Sequence, residues 1–363
     1  MEYRSSGRES PVRQEEQGDC IIEFVEASSC MQTIRVATTR ASLHTKTLNI
    51  SASFKGRRSI YSMTTATFKY IDPTSYTEST EPFIKPWAKV DGPGTSFKMT
   101  DRQRSVENLR GQESKFSTDN SGFAVHKSPA KEKSFTDETK IREQYYPEVE
   151  KLLREKLPGV KKVTIFDHTI RRRIKDAPRQ PVQSVHVDQT PGAAEARVRR
   201  HLPAEEAEEL LMGRYQIVNV WRPIENPASD FPLGFIDWRS TSPKDFAKVD
   251  LLYPKRSEDF DGDDRGKEAI PDPTSYTSTT GYEIKGETYS VAPNEGHKFY
   301  YVKDMTPDEA IFLKCFDSRG EGLPQGIKGI ARGTPHTAFV DPDTPADAPG
   351  RQSIEVRCLV FYD

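Results

Sequence analysis

The chain has 363 residues, enough for one large domain or two modest ones, and either would bury a sizeable core. Its 53 Lys and Arg against 55 Asp and Glu leave no net basic field of the kind that drives nonspecific nucleic-acid binding, so nucleic acid is set aside as a partner. Cys20, Cys30, Cys315 and Cys358 form no CxxC pair, and no apolar run reaches the roughly 18–20 residues that cross a bilayer; free buried thiols, no membrane anchor and a cytoplasmic location are expected.

Residues 1–62 are rich in Ser, Thr and Arg around one apolar patch, "CIIEFVEASSCM", and are read as a loosely ordered N-terminal extension. A more regular pattern starts at Met63, "MTTATFKYIDP", so 63–363 is read as a single domain and Met63 as a candidate initiator. From about 70 to 140 the chain is polar and rich in Pro, Gly and Ser, and irregular backbone is expected. "YYPEVEKLLREKLPG" then predicts a helix: Pro147 suits its first turn, Val149, Leu152, Leu153 and Leu157 form one apolar stripe, and Pro158-Gly159 stops it.

A β-branched run, "KKVTIFDHTIRRR", predicts a strand; "SVHVDQT" follows, and "LPAEEAEELLMG" predicts a second helix that ends before Gly213. Beyond Gly213 the strand-like segments are "RYQIVNVWRPI", "PLGFIDWRS", "HKFYYVKDM", "AIFLKCFDS", "IARGTPHTAFV" and "SIEVRCLVFYD". Many short strands preceded by two helices point to a barrel or sandwich, and no glycine-rich phosphate loop follows any strand. The string "DPTSYT" occurs at 72–77 and again at 272–277; without wider self-similarity it is read as turn sequence.

Side chains alternate faces along a strand, so His186 and Asp188 share one face while Val185 and Val187 take the other. Any surface strand can show an HxD pair. The far end of the chain adds His336 in "TPHTAF", then Arg351 and Ser353 on one face of "RQSIEV". Two histidines and a carboxylate form the facial triad of non-haem Fe(II) and leave three positions open. A guanidinium binds a carboxylate through two parallel charge-assisted hydrogen bonds, and a hydroxyl two residues on adds a third.

The landmarks "YYPEVEKLL", "FDHTIR", "HVDQ", "RYQIVNVWRPI", "PLGFIDWRS", "YYVKDMTPDEA", "KCFDS", "TPHTAF" and "RQSIEVRCLVFYD" resemble the fungal hydroxylase/desaturase family of Fe(II)/2-oxoglutarate oxygenases, over about the C-terminal three hundred residues. The resemblance implies a mainly β fold with flanking helices around a double-stranded β-helix core. It implies iron on His186, Asp188 and His336, 2-oxoglutarate chelating through its keto-acid end with its distal carboxylate on Arg351 and Ser353, and O2 as co-reactant. Succinate and carbon dioxide would be released as a small secondary metabolite or amino-acid-derived substrate is hydroxylated, desaturated or cyclised. The stretch "SEDFDGDDRGKEAIPDPTSYTSTTGYEI", about 257–284, stands where relatives pass directly from one strand to the next, and reads as an insertion.

Other residues carry two readings each. Arg357 is a second candidate anchor for an anion, or the partner of Glu355 or another buried acid. Asn219 is a candidate cosubstrate contact or an ordinary buried amide; Trp221, Arg222, Trp238 and Tyr300 are candidate substrate contacts or core. His168 and His297 are rival ligands, better read as structural because neither has the HxD order. Two further functions fit the same residues: a catalytically silent barrel that partners a tailoring enzyme, and a zinc hydrolase built on the same triad.

Overall fold

The computed structural model describes residues 63–90, 92–173, 181–255 and 271–363. These lie within one unit, Arg57–Asp363. The expected extension at 1–62, with Cys20 and Cys30, and the 257–270 part of the insertion lie outside the described residues.

In chain order the strands are β1 (Met63–Ile71), β2 (Trp87–Lys89), β3 (Met99–Asn108), β4 (Phe123–Lys127), β5 (Val160–Arg172), β6 (His186–Val187), β7 (Tyr215–Pro223), β8 (Leu233–Ile236), β9 (Phe246–Pro254), β10 (Tyr282–Val291), β11 (Phe299–Tyr301), β12 (Glu309–Asp317), β13 (His336–Ala338) and β14 (Gln352–Tyr362). The helices are α1 (Glu138–Lys140), running through a π turn into α2 (Tyr146–Lys156), then α3 (Pro191–His201) and α4 (Ala204–Met212).

The strands form a nine-stranded sheet, β1-β3-β11-β8-β13-β6-β10-β9-β2, and a five-stranded sheet, β4-β12-β7-β14-β5. Side chains from both sheets line one cavity. This is the mainly β, double-stranded β-helix architecture expected.

Burial explains the arrangement. All nine residues of β7 are buried, which suits the central strand of its sheet, covered on both faces. Its outward Val218 and Val220 join Phe312, Ile354, Val356 and Val360 in a core closed by Val149, Leu152 and Leu153 of α2. The stripe predicted for this helix therefore meets the back of the five-stranded sheet, leaving the other face to the cavity. In the nine-stranded sheet, Ala66, Phe68 and Tyr70 point inward at alternate positions of β1 and pack with Phe299 and Phe339.

Several expectations change. The 70–140 region holds β2, β3 and β4 as well as irregular backbone. β3 buries few side chains and is held by antiparallel pairing with β1 and parallel pairing with β11. α3 was not predicted because only Ala194 and Val198 of its residues are buried; Thr190 caps it by accepting from the Ala193 N–H. β9 and β10 were also missed, and the end of the expected insertion, Tyr282–Ile284, belongs to β10.

Both "DPTSYT" copies form the same turn, with the Asp72 and Asp272 carboxylates accepting from the N–H and hydroxyl of Thr74 and Thr274. Among the described residues no helix is long and apolar enough to cross a membrane.

Candidate metal centre

β6 runs between β10 and β13, and the register sets His336 directly opposite His186. The two imidazole centroids are 4.4 Å apart. Each ring is aimed by one device. His186 Nδ1 bonds the Ser184 carbonyl at 2.8 Å, and His336 Nδ1 bonds the Thr334 carbonyl at 2.9 Å. A carbonyl only accepts, so both Nδ1 atoms carry a proton and both Nε2 atoms face the site, where each offers a lone pair to a metal once any proton on it is lost.

Asp188 Oδ1 lies 3.3 Å from His186 Nε2 and 3.8 Å from His336 Nε2. The donor atoms of the three residues all fall within 4.8 Å of one another. Neighbouring donors around a first-row ion with bonds of about 2.1 Å stand about 3 Å apart, so the set fits a metal with only a small contraction. Asp188 Oδ2 faces away and accepts from Asn219 Nδ2 at 2.7 Å and Cys315 Sγ at 3.4 Å.

Burial penalises the Asp188 anion, yet the hydrogen bond from His186 and the pull of both imidazoles hold its pKa well below the ordinary carboxylate value. Burial likewise disfavours a charged His186, but the Asp188 carboxylate more than offsets this and raises its pKa. His336 goes the other way, lowered by burial and by His186 beside it.

A cavity of about 410 Å³ opens from the triad and reaches Arg351 and Ser353 of the facing sheet. Arg351 is buried; its Nη1 donates to the Phe231 carbonyl at 2.7 Å, and its Nε has no partner. Asp230, the nearby acid, takes the Arg351 backbone N–H and pairs with Arg173 instead. Among the described residues no carboxylate forms an ion pair with the Arg351 side chain. Burial and the Arg171 charge push its pKa down to about 10, only partly offset by the Asp230 and Glu355 charges, so it stays a cation at neutral pH with no described carboxylate paired directly to its guanidinium. An entering carboxylate would supply that partner.

Arg357 also lines the cavity but is neutralised: Nη1 holds both oxygens of Asp167 at 2.9–3.0 Å, and Nε reaches Glu355 at 3.3 Å. Arg351 is therefore the better anion anchor. Trp221 lines the cavity, with the Arg351 guanidinium 5.7 Å from its ring. Three other candidate substrate contacts lie elsewhere. Arg222 points to the opposite side of β7, donates to the carbonyls of Ser128 and Pro307, and covers the Tyr145 ring. Trp238 stacks on Phe246 beside Arg332, and Tyr300 packs against Phe116 and Phe123. Asn219 meets Asp188 rather than the cavity, which corrects its assignment as a cosubstrate contact.

The rival histidines are structural. His168 bonds the Tyr146 hydroxyl at 2.8 Å, and His297 sits 2.9 Å from Asp245. Cys315 and Cys358 are free and buried, as expected.

Sequence reasoning missed much of the cavity wall. Val249, Leu251 and Tyr253 line it from one face of β9, a period of two that was present in "AKVDLLYP". Phe97 and Val90 extend this apolar end. Gln189, next to Asp188, is buried there with its Oε1 unpartnered, a signal that only the packed structure supplies.

A family model described as Oxidoreductase/YMDC permease-like domain matches residues 68–361. The chain is 33% identical over 285 residues to the hydroxylase/desaturase efuI of Hormonema carpetanum, covering 74% of this chain and 86% of that protein. It is 31% identical over 296 residues to the hydroxylase/desaturase poxK of Penicillium oxalicum, covering 77% of this chain and 86% of the relative. Among solved structures, the iron and alpha-ketoglutarate-dependent endoperoxidase NvfI, a name carried by a dioxygenase of Aspergillus novofumigatus, superposes with a TM-score of 0.63. That match has 25% identity and covers 83% of this chain and 98% of the other.

Proposed function

The chain belongs to the fungal hydroxylase/desaturase family of Fe(II)/2-oxoglutarate-dependent oxygenases, and from that membership we propose that His186, Asp188 and His336 hold its iron while Arg351 and Ser353 hold its cosubstrate. The observation that carries the proposal is a single cavity with three converging donor atoms and, on the facing sheet, a buried guanidinium without a carboxylate. Iron, 2-oxoglutarate and O2 together supply an oxidant strong enough for an unactivated C–H bond; the protein supplies position and exclusion.

Each residue then has a defined task. The two Nε2 atoms and Asp188 Oδ1 would hold the ion from one side and leave room for exogenous ligands. Arg351 meets the distal carboxylate of 2-oxoglutarate, and Ser353, two residues on along β14, offers a hydroxyl to the same group. Trp221 and Leu233 line the same cavity and limit water there. The apolar end built by Val249, Leu251, Tyr253 and Phe97 receives the substrate, a small and largely apolar secondary metabolite or amino-acid-derived molecule. Relatives named hydroxylase/desaturase support hydroxylation or desaturation as the outcome, and cyclisation is the third reading.

The test is succinate release in air with Fe(II), 2-oxoglutarate and a panel of candidate substrates. Oxygen-dependent succinate, lost in Asp188→Ala, is the expected result. Equal succinate from the unaltered chain and from Asp188→Ala would refute the assignment.

A further inference from the structure

Asp188 presents its two oxygens to two different sheets. Oδ1 faces the imidazoles of β6 and β13, at 3.3 and 3.8 Å. Oδ2 faces the five-stranded sheet, where it accepts from Asn219 of β7 at 2.7 Å and Cys315 of β12 at 3.4 Å. Both donors are buried, with 0% and 1% exposure, so water does not compete for the oxygen they hold. The amide orientation is unambiguous, because only Nδ2 can donate to a carboxylate.

The backbone around Cys315 adds an independent observation. β12 pairs with β7 in regular register up to Lys314, then shifts so that Phe316 faces Ile217. Cys315 is the residue left over. A bulge of this kind breaks a ladder locally and re-aims one side chain, and here the side chain it carries is the thiol against Asp188 Oδ2. Asn219 sits on the neighbouring strand, opposite Leu313.

Resting on the metal reading above, we propose that Asn219 and Cys315 are positioning residues that clamp Asp188 Oδ2, so that the carboxylate offers Oδ1 alone to the metal. A carboxylate free to rotate can chelate through both oxygens and take one of the positions that the cosubstrate or oxygen needs. Two fixed donors on Oδ2 prevent that rotation, and they tie the ligand of one sheet to the rigid centre of the other.

Co(II) alone, added anaerobically without cosubstrate, is the probe, since its visible absorption reports coordination number. Asn219→Leu, which keeps the branching but removes the donor, is expected to weaken Co(II) binding at least tenfold and to alter the band envelope. Cys315→Ala should weaken it two- to fivefold, while Cys315→Ser, which keeps a donor, returns to within twofold of the unaltered chain. Should Asn219→Leu fail to fold, the Cys315→Ala and Cys315→Ser pair still decides. Unchanged affinity and an unchanged spectrum in the folded variants would overturn the clamp alone. Failure of the unaltered chain to bind Co(II) would overturn the metal reading, and the clamp with it.

Discussion

At Arg351 burial selects the ligand. A guanidinium shut away from water without a carboxylate is unfavourable until an anion arrives, and its planar fork prefers a carboxylate held by two hydrogen bonds. Arg351→Lys keeps the charge but loses the fork, so the KM for 2-oxoglutarate should rise by ~10–100-fold, and Arg351→Ala should raise it by ~100-fold or more, with steady-state kinetics as the measurement. Metal binding carries a pH signature. With its pKa raised by Asp188, His186 is the first ligand to protonate as pH falls, whereas His336 and Asp188, both lowered, stay deprotonated longer. Iron must displace that proton. Anaerobic titration should therefore show affinity level above the His186 pKa, then falling about tenfold per pH unit below it, and more steeply once His336 protonates. The His186 and Asp188 pair was legible from strand spacing, but His336 came from the distal segment and the family resemblance, because nothing local ties "TPHTAF" to "HVD" until β13 pairs with β6. The hydroxyl that follows Arg351 ranks it over Arg357 in the sequence, and Glu355 stands there as a named partner of Arg357; Asp167, brought in by packing from β5, was not legible.

Strands and helices divide into those whose periodicity faces the core and those held by their neighbours. α2 was readable because its apolar residues are buried in register with the helical period, and β7 because it is a β-rich run buried along its whole length. β3 and α3 were not, because backbone pairing and a capped N-terminus hold sequences with almost no apolar stripe. Tyr300 sits on β11, the strand expected in "HKFYYVKDM", but which side of a short strand meets the cavity depends on sheet order, which sequence does not print; Trp238 falls in a 3-10 turn just past β8, beyond the end of the strand in "PLGFIDWRS". The layering predicts two separable defects. Leu153→Ala empties a buried site behind the five-stranded sheet and should cost about 2–5 kcal/mol in denaturant unfolding, with metal affinity unchanged. Gly333→Ala should do the reverse. Its added Cβ would meet Val187 Cγ1 at 2.8 Å and the Cys315 carbonyl at 3.1 Å, pushing on the backbone between His186 and Asp188. Metal affinity should fall by more than the loss of stability accounts for, as measured by metal titration alongside thermal unfolding.

Over the whole molecule the two sheets have distinct jobs. β6 and β13 of the nine-stranded sheet bring His186, Asp188 just past β6, and His336 together, and β14 of the five-stranded sheet carries Ser353, with Arg351 just before it, across the cavity from them. The expected insertion docks its "DPTSYT" turn by Lys89 of β2, whose Nζ donates to the Ser275 carbonyl at 2.6 Å. Since Lys89 also lines the cavity, that turn braces the cavity wall there. The central claim is that one metal at His186, Asp188 and His336 is chelated by a keto acid whose far carboxylate is held by Arg351. Anaerobic addition of Fe(II) and 2-oxoglutarate tests it most directly. A weak visible charge-transfer band should develop in the unaltered chain, vanish in His336→Ala, and require far higher 2-oxoglutarate in Arg351→Ala. No band in well-folded unaltered protein, or one that survives undiminished in His336→Ala, would contradict it.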